Sequence, residues 1–273
     1  MAKPKGSDLV VKANKLIEAR YRLSLVEQQL VGFAITRARE EQRGLFADHP
    51  ITIRAADFAQ QFNCDDKSVY EQLKDGMARL YERSITLIST DDRGLEVVTK
   101  TRWISQASYI NGAGEISFIF APLLVDYVTR LDKNEFTQYK LSQVGNMTSW
   151  YAVRIYELLV QYLTAGSRTI RLDELKKILC IEAEYSSLKN FKARVVDVAI
   201  EQINEHTDLS VGYEQIKKGR VVEGFDFKIK RKPQTKKQPV VDRAYVEAHA
   251  LPGETYEIAK KRLLSDVQRE IDL

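Results

Sequence analysis

One stretch decides the fold of this 273-residue chain, and it reads Tyr185-Ser-Ser-Leu-Lys-Asn-Phe-Lys-Ala-Arg-Val-Val-Asp-Val-Ala-Ile-Glu-Gln-Ile-Asn204. Apolar residues recur in it at steps of three and four, which is the spacing of a helix with one buried side. These residues are Leu188, Phe191, Val195, Val198, Ala199 and Ile203. The stretch is therefore predicted to form an amphipathic helix that starts near Ser186 or Ser187.

The opposite side of this predicted helix is cationic. At about 100° per residue, that side holds Ser186, Lys189, Asn190, Ala193, Arg194 and Asp197, with Lys192 on the flank. The first two turns of the helix contain three cations and no acid. Such a side is suited to the phosphates and base edges of DNA, and its alternative is a helix face that is only solvated.

A basic hairpin is predicted directly after the helix. Apolar and polar residues alternate at 209–213 and again at 225–229, which is the period of half-buried strands. Between them, Lys217-Lys-Gly-Arg220 supplies a glycine for the turn and three cations. A winged-helix protein reads DNA with such a pair, placing the helix in a major groove about 12 Å wide and the hairpin along the phosphates. A lysine-rich turn without a ligand is the alternative.

The first half of the chain is predicted to follow the same order. Its helix starts with a capping box at Ser24–Glu27, and a strand at 51–53 and helices at 55–62 and 67–81 come next. A hairpin is then predicted from strands 84–90 and 96–105, joined by Asp91-Asp-Arg-Gly94.

The second half repeats this order, with a helix at 148–163, a strand at 169–171 and a helix at 173–179 before the basic helix and hairpin. Thr52-Ile-Arg54 and Thr169-Ile-Arg171 hold equivalent places, and so do Cys64 and Cys180. The sequence therefore predicts an α+β fold of two tandem winged-helix domains related by internal duplication.

Polar and proline-containing segments predict the domain boundaries. A strand at 115–120 and a helix at 122–131 end at the polar run Asp132-Lys-Asn-Glu135. The predicted domains are residues 1–133, for dimerisation and DNA contact, and residues 134–232, as the main DNA-reading domain. Residues 233–273 are predicted to form a basic linker and an amphipathic helix at 254–271.

Composition limits the class of protein. With 44% hydrophobic and 29% charged residues and a net charge of +4, the chain is expected to be soluble and globular. No apolar run approaches the roughly 18 residues of a membrane span, and no secretory signal is evident. Two cysteines fit a reducing compartment, so cytoplasmic residence is expected.

The chain contains four further motifs: Phe136-Thr-Gln-Tyr-Lys-Leu141, Trp150-Tyr-Ala-Val-Arg-Ile-Tyr-Glu-Leu-Leu159, the segment 191–204, and Tyr213-Glu-Gln-Ile-Lys-Lys-Gly-Arg220. Together they resemble one known family, the replication initiators of iteron plasmids of the RepE and π type. They occur in collinear order within a resemblance that spans Val10 to Lys230. Where many members have a run of arginines, this chain has Lys192-Ala-Arg194. Ala193 cannot donate a hydrogen bond, so the base contact that relatives make at this position is expected to be absent or replaced by an apolar contact with a thymine methyl group.

The resemblance implies a function. Two tandem winged-helix domains would clamp one directly repeated origin site, the iteron, from successive major grooves. A monomer would bind iterons, open the origin and recruit the host replication initiator and replicative helicase, whereas a homodimer formed mainly through the N-terminal domain would repress the initiator's own promoter. A winged-helix transcriptional regulator without a replication role is the alternative.

The predicted DNA-binding residues fall into two sets. The second domain supplies Ser186, Ser187, Lys189, Asn190, Lys192, Arg194, Lys217, Lys218 and Arg220. The first domain supplies Lys67, Ser68, Gln72, Lys74 and Arg93. Nearby acidic residues reduce the positive potential of this set. Arg194 and Lys192 suit the O6 and N7 acceptors of guanine, and Asn190 suits adenine. In the second domain, the predicted phosphate contacts are Lys189, Lys217, Lys218 and Arg220.

Catalysis and cofactors are not expected. The three histidines, His49, His206 and His249, are isolated from one another, so the metal of a nicking enzyme has no paired ligands. A phosphate-binding glycine-rich loop is missing, and neither cysteine has a partner at metal-ligand spacing. No metal site and no cofactor are therefore predicted, and both thiols are expected to be buried. Arg154 is predicted to pair with Glu157 or a carbonyl group rather than with DNA.

Overall fold

The computed structural model describes residues 8–41, 43–46, 49–64, 66–110, 112–128, 135–233, 243–251 and 253–271. The chain divides into two compact units, Met1–Lys232 and Pro233–Leu273. Within the described ranges, no helix has both the length and the apolar character needed to cross a membrane. Most of the predicted linker after Lys232 and the predicted boundary at 132–134 lie outside the described residues.

The first part of the large unit begins with a strand and contains the first winged helix. Its elements are β1 (Leu9–Ala13), α1 (Asn14–Ile17), α2 (Leu25–Glu41), β2 (Ile51–Arg54), α3 (Ala55–Phe62), α4 (Asp66–Glu82), β3 (Ser84–Thr90), β4 (Glu96–Arg102), β5 (Ile104–Ile110), β6 (Glu115–Phe120) and α5 (Pro122–Val128). The capping box is confirmed, because the Ser24 amide donates to Glu27 Oε2 over 2.9 Å and the Glu27 amide donates to Ser24 Oγ over 3.4 Å.

The rest of the large unit contains the second winged helix. Its elements are β7 (Phe136–Lys140), α6 (Leu141–Gly145), α7 (Trp150–Val160), β8 (Ser167–Arg171), α8 (Leu172–Leu179), α9 (Leu188–Phe191), a π-helical turn (Lys192–Val196), α10 (Asp197–His206), β9 (Leu209–Lys218) and β10 (Val221–Arg231). The small unit has α11 (Arg243–His249) and α12 (Tyr256–Ile271), which bury Val246, Ala259 and Leu263 between them.

Each winged helix has a three-stranded antiparallel sheet, with the order β2-β6-β5 in the first and β8-β10-β9 in the second. The central strand of each comes last in the chain, and its hairpin partner forms the wing. The wing of the first domain is therefore β5–β6. The predicted hairpin at 84–105 exists, but β3 and β4 form a separate two-stranded sheet. The assignment of this hairpin as the wing was wrong, because the strand that pairs with β2 is β6 and not β4.

The internal repeat is visible in the backbone. In the first domain, β2 leads directly into the eight-residue α3, which ends at Asn63 with a left-handed φ of 51°. In the second, β8 leads into the eight-residue α8, which ends at Cys180 with a φ of 53°. Cys180 is thus equivalent to Asn63 and not to Cys64, so the pairing of the cysteines was wrong by one position. Cys64 is also exposed and Cys180 half-buried, which contradicts the expectation of two buried thiols.

A buried polar cluster joins the start of the chain to the second half. β1 pairs with β7 in antiparallel fashion, and α7 packs beside this pair. Between them lies the junction cluster, which we define as Lys12, Tyr21, Tyr139, Arg154 and Glu157. All five side chains are at most 6% exposed. The polar run at 132–135 predicts a domain boundary near residue 133, and that placement stays a prediction.

The carboxylate of Glu157 is the centre of the junction cluster. Lys12 Nζ lies 2.6 Å and the Tyr139 hydroxyl 2.6 Å from Oε1, while Arg154 Nη1 donates to Oε2 over 2.8 Å. Burial alone would raise the pKa of Glu157, but the charges of Lys12 and Arg154 outweigh it and lower this pKa to about 2. Burial also lowers the pKa of Lys12, against the effect of Glu157.

Candidate nucleic-acid interface

The predicted DNA-reading helix is one continuous helical segment. We call residues Leu188–His206 the recognition helix; they comprise α9, the π-helical turn and α10. Ser187 is its N-cap, with an extended backbone. Its fully buried residues are Phe191, Val195, Val196, Ala199 and Ile203. The π-helical turn inserts an extra residue into the helical repeat, so Val196 is buried and Val198 only half-buried, which the regular helical period did not predict.

The outer side of the recognition helix is open to solvent. Ser186, Ser187, Lys189, Asn190, Ala193 and Arg194 are exposed, and Lys192 is half-buried. Within the described part of the chain, the side chains of Lys189, Asn190 and Arg194 have no hydrogen-bond or ion-pair partner. A cation without a carboxylate partner retains its full charge for a ligand. This side can therefore present two unpaired cations and one amide to a polyanion.

The hairpin β9–β10 places three further cations at its tip. Lys218 pairs with Val221, so the turn consists of Gly219 and Arg220. Gly219 has a φ of +62°, which is the conformation that the first position of a type II′ turn requires. Lys217, Lys218 and Arg220 are all exposed. This second wing can therefore supply positive charge to a phosphate backbone.

Aromatic contacts fix the second wing against the recognition helix. The rings of Phe191 and Phe225 stack with centroids 6.2 Å apart, and Tyr213 meets Phe225 edge-on at 5.4 Å. Lys192 Nζ lies 5.7 Å from the centroid of the Tyr213 ring, and the Tyr213 hydroxyl donates a hydrogen bond to Asp197 Oδ1. Helix and wing are therefore held as one cationic surface rather than as two independent elements.

The two-residue link from Tyr213 to Asp197 is a feature that sequence reasoning missed. The sequence placed Tyr213 in a strand and Asp197 on the outer side of the helix, and each belongs to a family motif, but neither was predicted to contact the other. No local signal connects them, because they are 16 residues apart and lie on different elements. Burial and then the hydrogen bond to Asp197 raise the pKa of Tyr213. Its hydroxyl therefore stays protonated and keeps donating.

The predicted DNA-binding residues of the first domain produce a weaker positive potential than those of the second. Ser68 and Gln72 are exposed on α4, where Gln72 Nε2 donates to Ser68 Oγ over 2.8 Å. Lys74 Nζ lies 3.9 Å from Glu71 Oε2, and Arg93 binds the Asp91 carboxylate at 2.8 Å. The side chain of Lys67 lies outside the described residues. Lys74 and Arg93 are thus neutralised locally.

The location of Arg93 differs from the prediction. It was assigned to a wing, yet it lies in the turn between β3 and β4, outside the winged-helix sheet. The true wing of this domain, β5–β6, has the uncharged sequence Gly112-Ala-Gly114 in the described part of its tip. The cationic character of the second wing therefore has no counterpart in the first.

Arg154 is placed as predicted. Its side chain is fully buried, and Nη2 donates to the carbonyl groups of Ile17 and Ala19 over 2.9 and 3.2 Å. It therefore joins elements of the fold and does not reach a ligand. Among the described residues, no group of three His, Cys, Asp or Glu side chains is arranged to hold a metal ion.

The two three-stranded sheets, each with its helix pair, define a protein of two tandem winged-helix domains, the second of which carries a cationic helix and wing. Comparison with known proteins supplies the family. A family model described as "Initiator Replication protein, WH1" matches residues 9–160, and one described as "Initiator Rep protein, WH2" matches residues 171–229. The chain belongs to this family of replication initiators.

Individual relatives are distant but cover most of the chain. A replication initiation protein of Escherichia coli is 24% identical over 230 residues, which cover 82% of this chain and 70% of the relative. The PI protein of Escherichia coli is 27% identical over 208 residues, or 64% of this chain and 67% of the relative. The crystal structure of the Pi initiator protein in complex with iteron DNA has the same fold, with a TM-score of 0.68, 24% identity, and coverage of 82% of this chain and 97% of that one.

Proposed function

We propose that this protein is a plasmid replication initiator that binds iterons, the directly repeated sites of its origin, in double-stranded DNA. One observation carries the proposal: Lys189 and Arg194 point outward without described partners, beside a wing with three exposed cations. A recognition helix with this outer side fits a major groove, and the wing lies where flanking phosphates pass. The shared fold of the Pi initiator, which was solved with iteron DNA, supports the same ligand.

The side chains divide between base reading and positioning. Arg194 and Lys192 donate to guanine, and Asn190 pairs with adenine through its amide. Ser186, Ser187, Lys189, Lys217, Lys218 and Arg220 contact phosphates, which fix the register of the protein without reading sequence. In the first domain, Ser68, Gln72 and Lys74 face the adjacent groove and contribute less, because Glu71 pairs with Lys74. Lys67 keeps its assignment to this groove from the sequence alone. Arg93, held by Asp91 in the extra hairpin, is the weakest member of the set.

Lys218→Ala is expected to weaken binding to all duplexes alike. Since Lys218 lies at the tip of the wing, its loss removes one phosphate contact and lowers the slope of log K against log salt by about 0.9. Titrations at several salt concentrations, on specific and scrambled duplexes, measure both effects. Lys261→Ala, an exposed lysine of α12 outside both family matches, is the matched control and should leave the slope unchanged. An unchanged slope for Lys218→Ala would remove this residue from the DNA surface.

A homodimer that represses the initiator's own promoter is the second part of the proposal. In the described residues, β4 is paired only with β3, so one edge of this strand has unused hydrogen-bonding groups. Ile88 and Val98 face each other across the hairpin and are 39% and 53% exposed. Two copies of β4 can pair antiparallel about a twofold axis, which places Val98 beside side chains of the second copy.

Val98→Asp is expected to weaken the homodimer at least about tenfold, because the dimer would bury an unpaired carboxylate at its interface. Sedimentation equilibrium of the full chain measures the association constant. Val221→Asp, a valine that is 66% exposed at the second wing, is the control and should leave the constant unchanged. Equal constants for both variants and the unmodified protein would rule out β4 as the interface.

A replication assay tests the initiator function itself. A plasmid that carries the candidate origin is introduced into a host with and without this protein, and it should be maintained only when the protein is present. If the plasmid is maintained without the protein, the proposal is contradicted. The alternative function, a transcriptional regulator that binds the same DNA, would then be favoured. Recruitment of the host replication initiator and the replicative helicase rests on the family relationship alone.

A further inference from the structure

Asp197 is the first acid on the outer side of the recognition helix, and the exposed Glu201 follows it one turn later. Asp197 is exposed and follows directly after the π-helical turn. Its Oδ1 accepts the hydrogen bond from the Tyr213 hydroxyl, whereas Oδ2 has no partner among the described residues. The carboxylate is thus held in one orientation by the wing strand and still has one oxygen available.

A fixed carboxylate on a DNA-binding surface needs a compensating donor. Phosphates repel it, and the link to Tyr213 prevents it from turning away into solvent. In the major groove, the donors are the exocyclic amines of cytosine and adenine. Beside its amine, adenine has the N7 acceptor, which repels a carboxylate and suits an amide instead. Cytosine has no such acceptor beside its amine, so it is the base that matches Asp197.

We infer that Asp197 determines specificity by accepting a hydrogen bond from the exocyclic amine of a cytosine, and that Tyr213 is the positioning residue that orients it. The inference rests on the proposed DNA-binding function. Asp197 lies three residues after Arg194, or about 4.5 Å along a helix, so the cytosine lies within about two base pairs of the guanine that Arg194 reads. The ammonium group of Lys192 lies over the ring of Tyr213, so Lys192, Tyr213 and Asp197 are held together as one group.

A purely structural role for Asp197 predicts a different outcome. If the carboxylate served only to anchor Tyr213, Asp197→Asn would preserve the link through its amide oxygen and change no base preference. If Asp197 reads a base, the Asp197→Asn variant should prefer adenine instead of cytosine at one position, since an amide matches the donor and acceptor of adenine. Tyr213→Phe keeps the ring under Lys192 but removes the hydroxyl, and it should weaken the cytosine preference without altering the guanine preference.

Selection from a randomised duplex library tests the inference. The full chain and the variants Asp197→Asn, Asp197→Ala and Tyr213→Phe are each used to select binding sites. The unmodified protein should select cytosine at one position near a guanine, and Asp197→Ala should accept any base there while keeping the guanine. Identical selected sequences for all four proteins would overturn the inference.

A duplex with one amine removed supplies a second measurement. The selected cytosine is replaced by 2-pyrimidinone, which lacks the exocyclic amine. Affinity should fall about tenfold for the unmodified protein and not at all for Asp197→Ala. An equal fall for both proteins would show that Asp197 does not read this amine, and a uniform gain in the affinity of Asp197→Ala for every duplex would show that the carboxylate only repels phosphates; either result would overturn the inference. If the unmodified protein selects no sequence at all, the proposed function itself fails, and that result is distinct from the others.

Discussion

Arg194→Ala is expected to abolish the preference for one base pair of the binding site, at a cost of about 1–3 kcal/mol in binding to the preferred duplex. Arg194 is exposed on the recognition helix without a described partner, so its removal leaves the fold and the neighbouring cations unchanged. Competition titrations against duplexes that differ at single base pairs measure the effect. If binding to specific and scrambled duplexes weakened equally, base reading by Arg194 would be wrong.

Arg194→Lys is the matched control for this prediction. It keeps the positive charge and most of the length of the side chain, but it loses the planar fork that donates to two acceptors at once. Binding to scrambled DNA should therefore stay at the level of the unmodified protein, while the preference for one base pair falls. A lysine variant with full preference would mean that charge alone explains the contact.

Glu157→Gln is expected to have the largest effect on stability, because it leaves Lys12 and Arg154 as two uncompensated cations in the interior. Breaking a buried ion pair by removing one partner costs about 3–5 kcal/mol. Urea unfolding of the full chain measures the loss. Lys12→Met is the matched control: it also breaks the 2.6 Å pair, but Arg154 and Tyr139 continue to bind Glu157. The methionine variant should therefore lose much less stability, and equal losses would contradict a role for charge in the junction cluster.

The same cluster predicts a dependence on pH. In the unfolded chain a glutamate has a pKa of about 4.3, whereas the pKa of Glu157 in the folded protein is about 2. Since the folded value is the lower one, the stabilisation is present above pH 4.3 and is lost as the pH falls toward about 2. Unfolding curves between pH 7 and 3 should show this loss in the unmodified protein. Glu157→Gln should show a flatter profile, and parallel profiles would contradict the assignment.

Local patterns in the sequence were sufficient for most of the elements. The strand at 115–120 and the helix at 55–62 were predicted with the bounds they have in the structure. Both segments have strong periodicity or clear end signals, so their conformation is decided within a few residues. The repeat of the triplet Thr-Ile-Arg was informative for the same reason, because it marks the turn from a strand directly into a helix in both domains.

Pairings between distant segments were not predictable. The chain offers two hairpins in the first domain, and only contact with β2 decides that β5–β6 is the wing. Arg93 was misplaced for this reason. In the junction cluster, Arg154 and Glu157 are neighbours on one helix and were predicted as a pair. Lys12, Tyr21 and Tyr139 come from other elements, and no local signal connects them to that pair.

In the candidate DNA-binding site, too, local features were predictable from sequence and contacts between distant elements were not. The exposed cations of the recognition helix follow from a helical repeat and were found from sequence. The π-helical turn changes this repeat at Val196, and the link between Tyr213 and Asp197 spans two elements. Each of these features depends on how the helix packs against the second wing, which the order of residues does not encode locally.

The central claim is that the outer side of the recognition helix lies in a major groove of each repeated site. An iron–EDTA chelate tethered through Ala193→Cys, in a chain that also carries Cys64→Ser and Cys180→Asn, tests it directly. Asparagine suits position 180 because Asn63 has the same left-handed conformation at the equivalent place. The tethered chelate should cleave the candidate origin at one fixed position in every direct repeat, whereas free chelate should cleave uniformly. Uniform cleavage by the tethered chelate, or none within the repeats, would contradict the account.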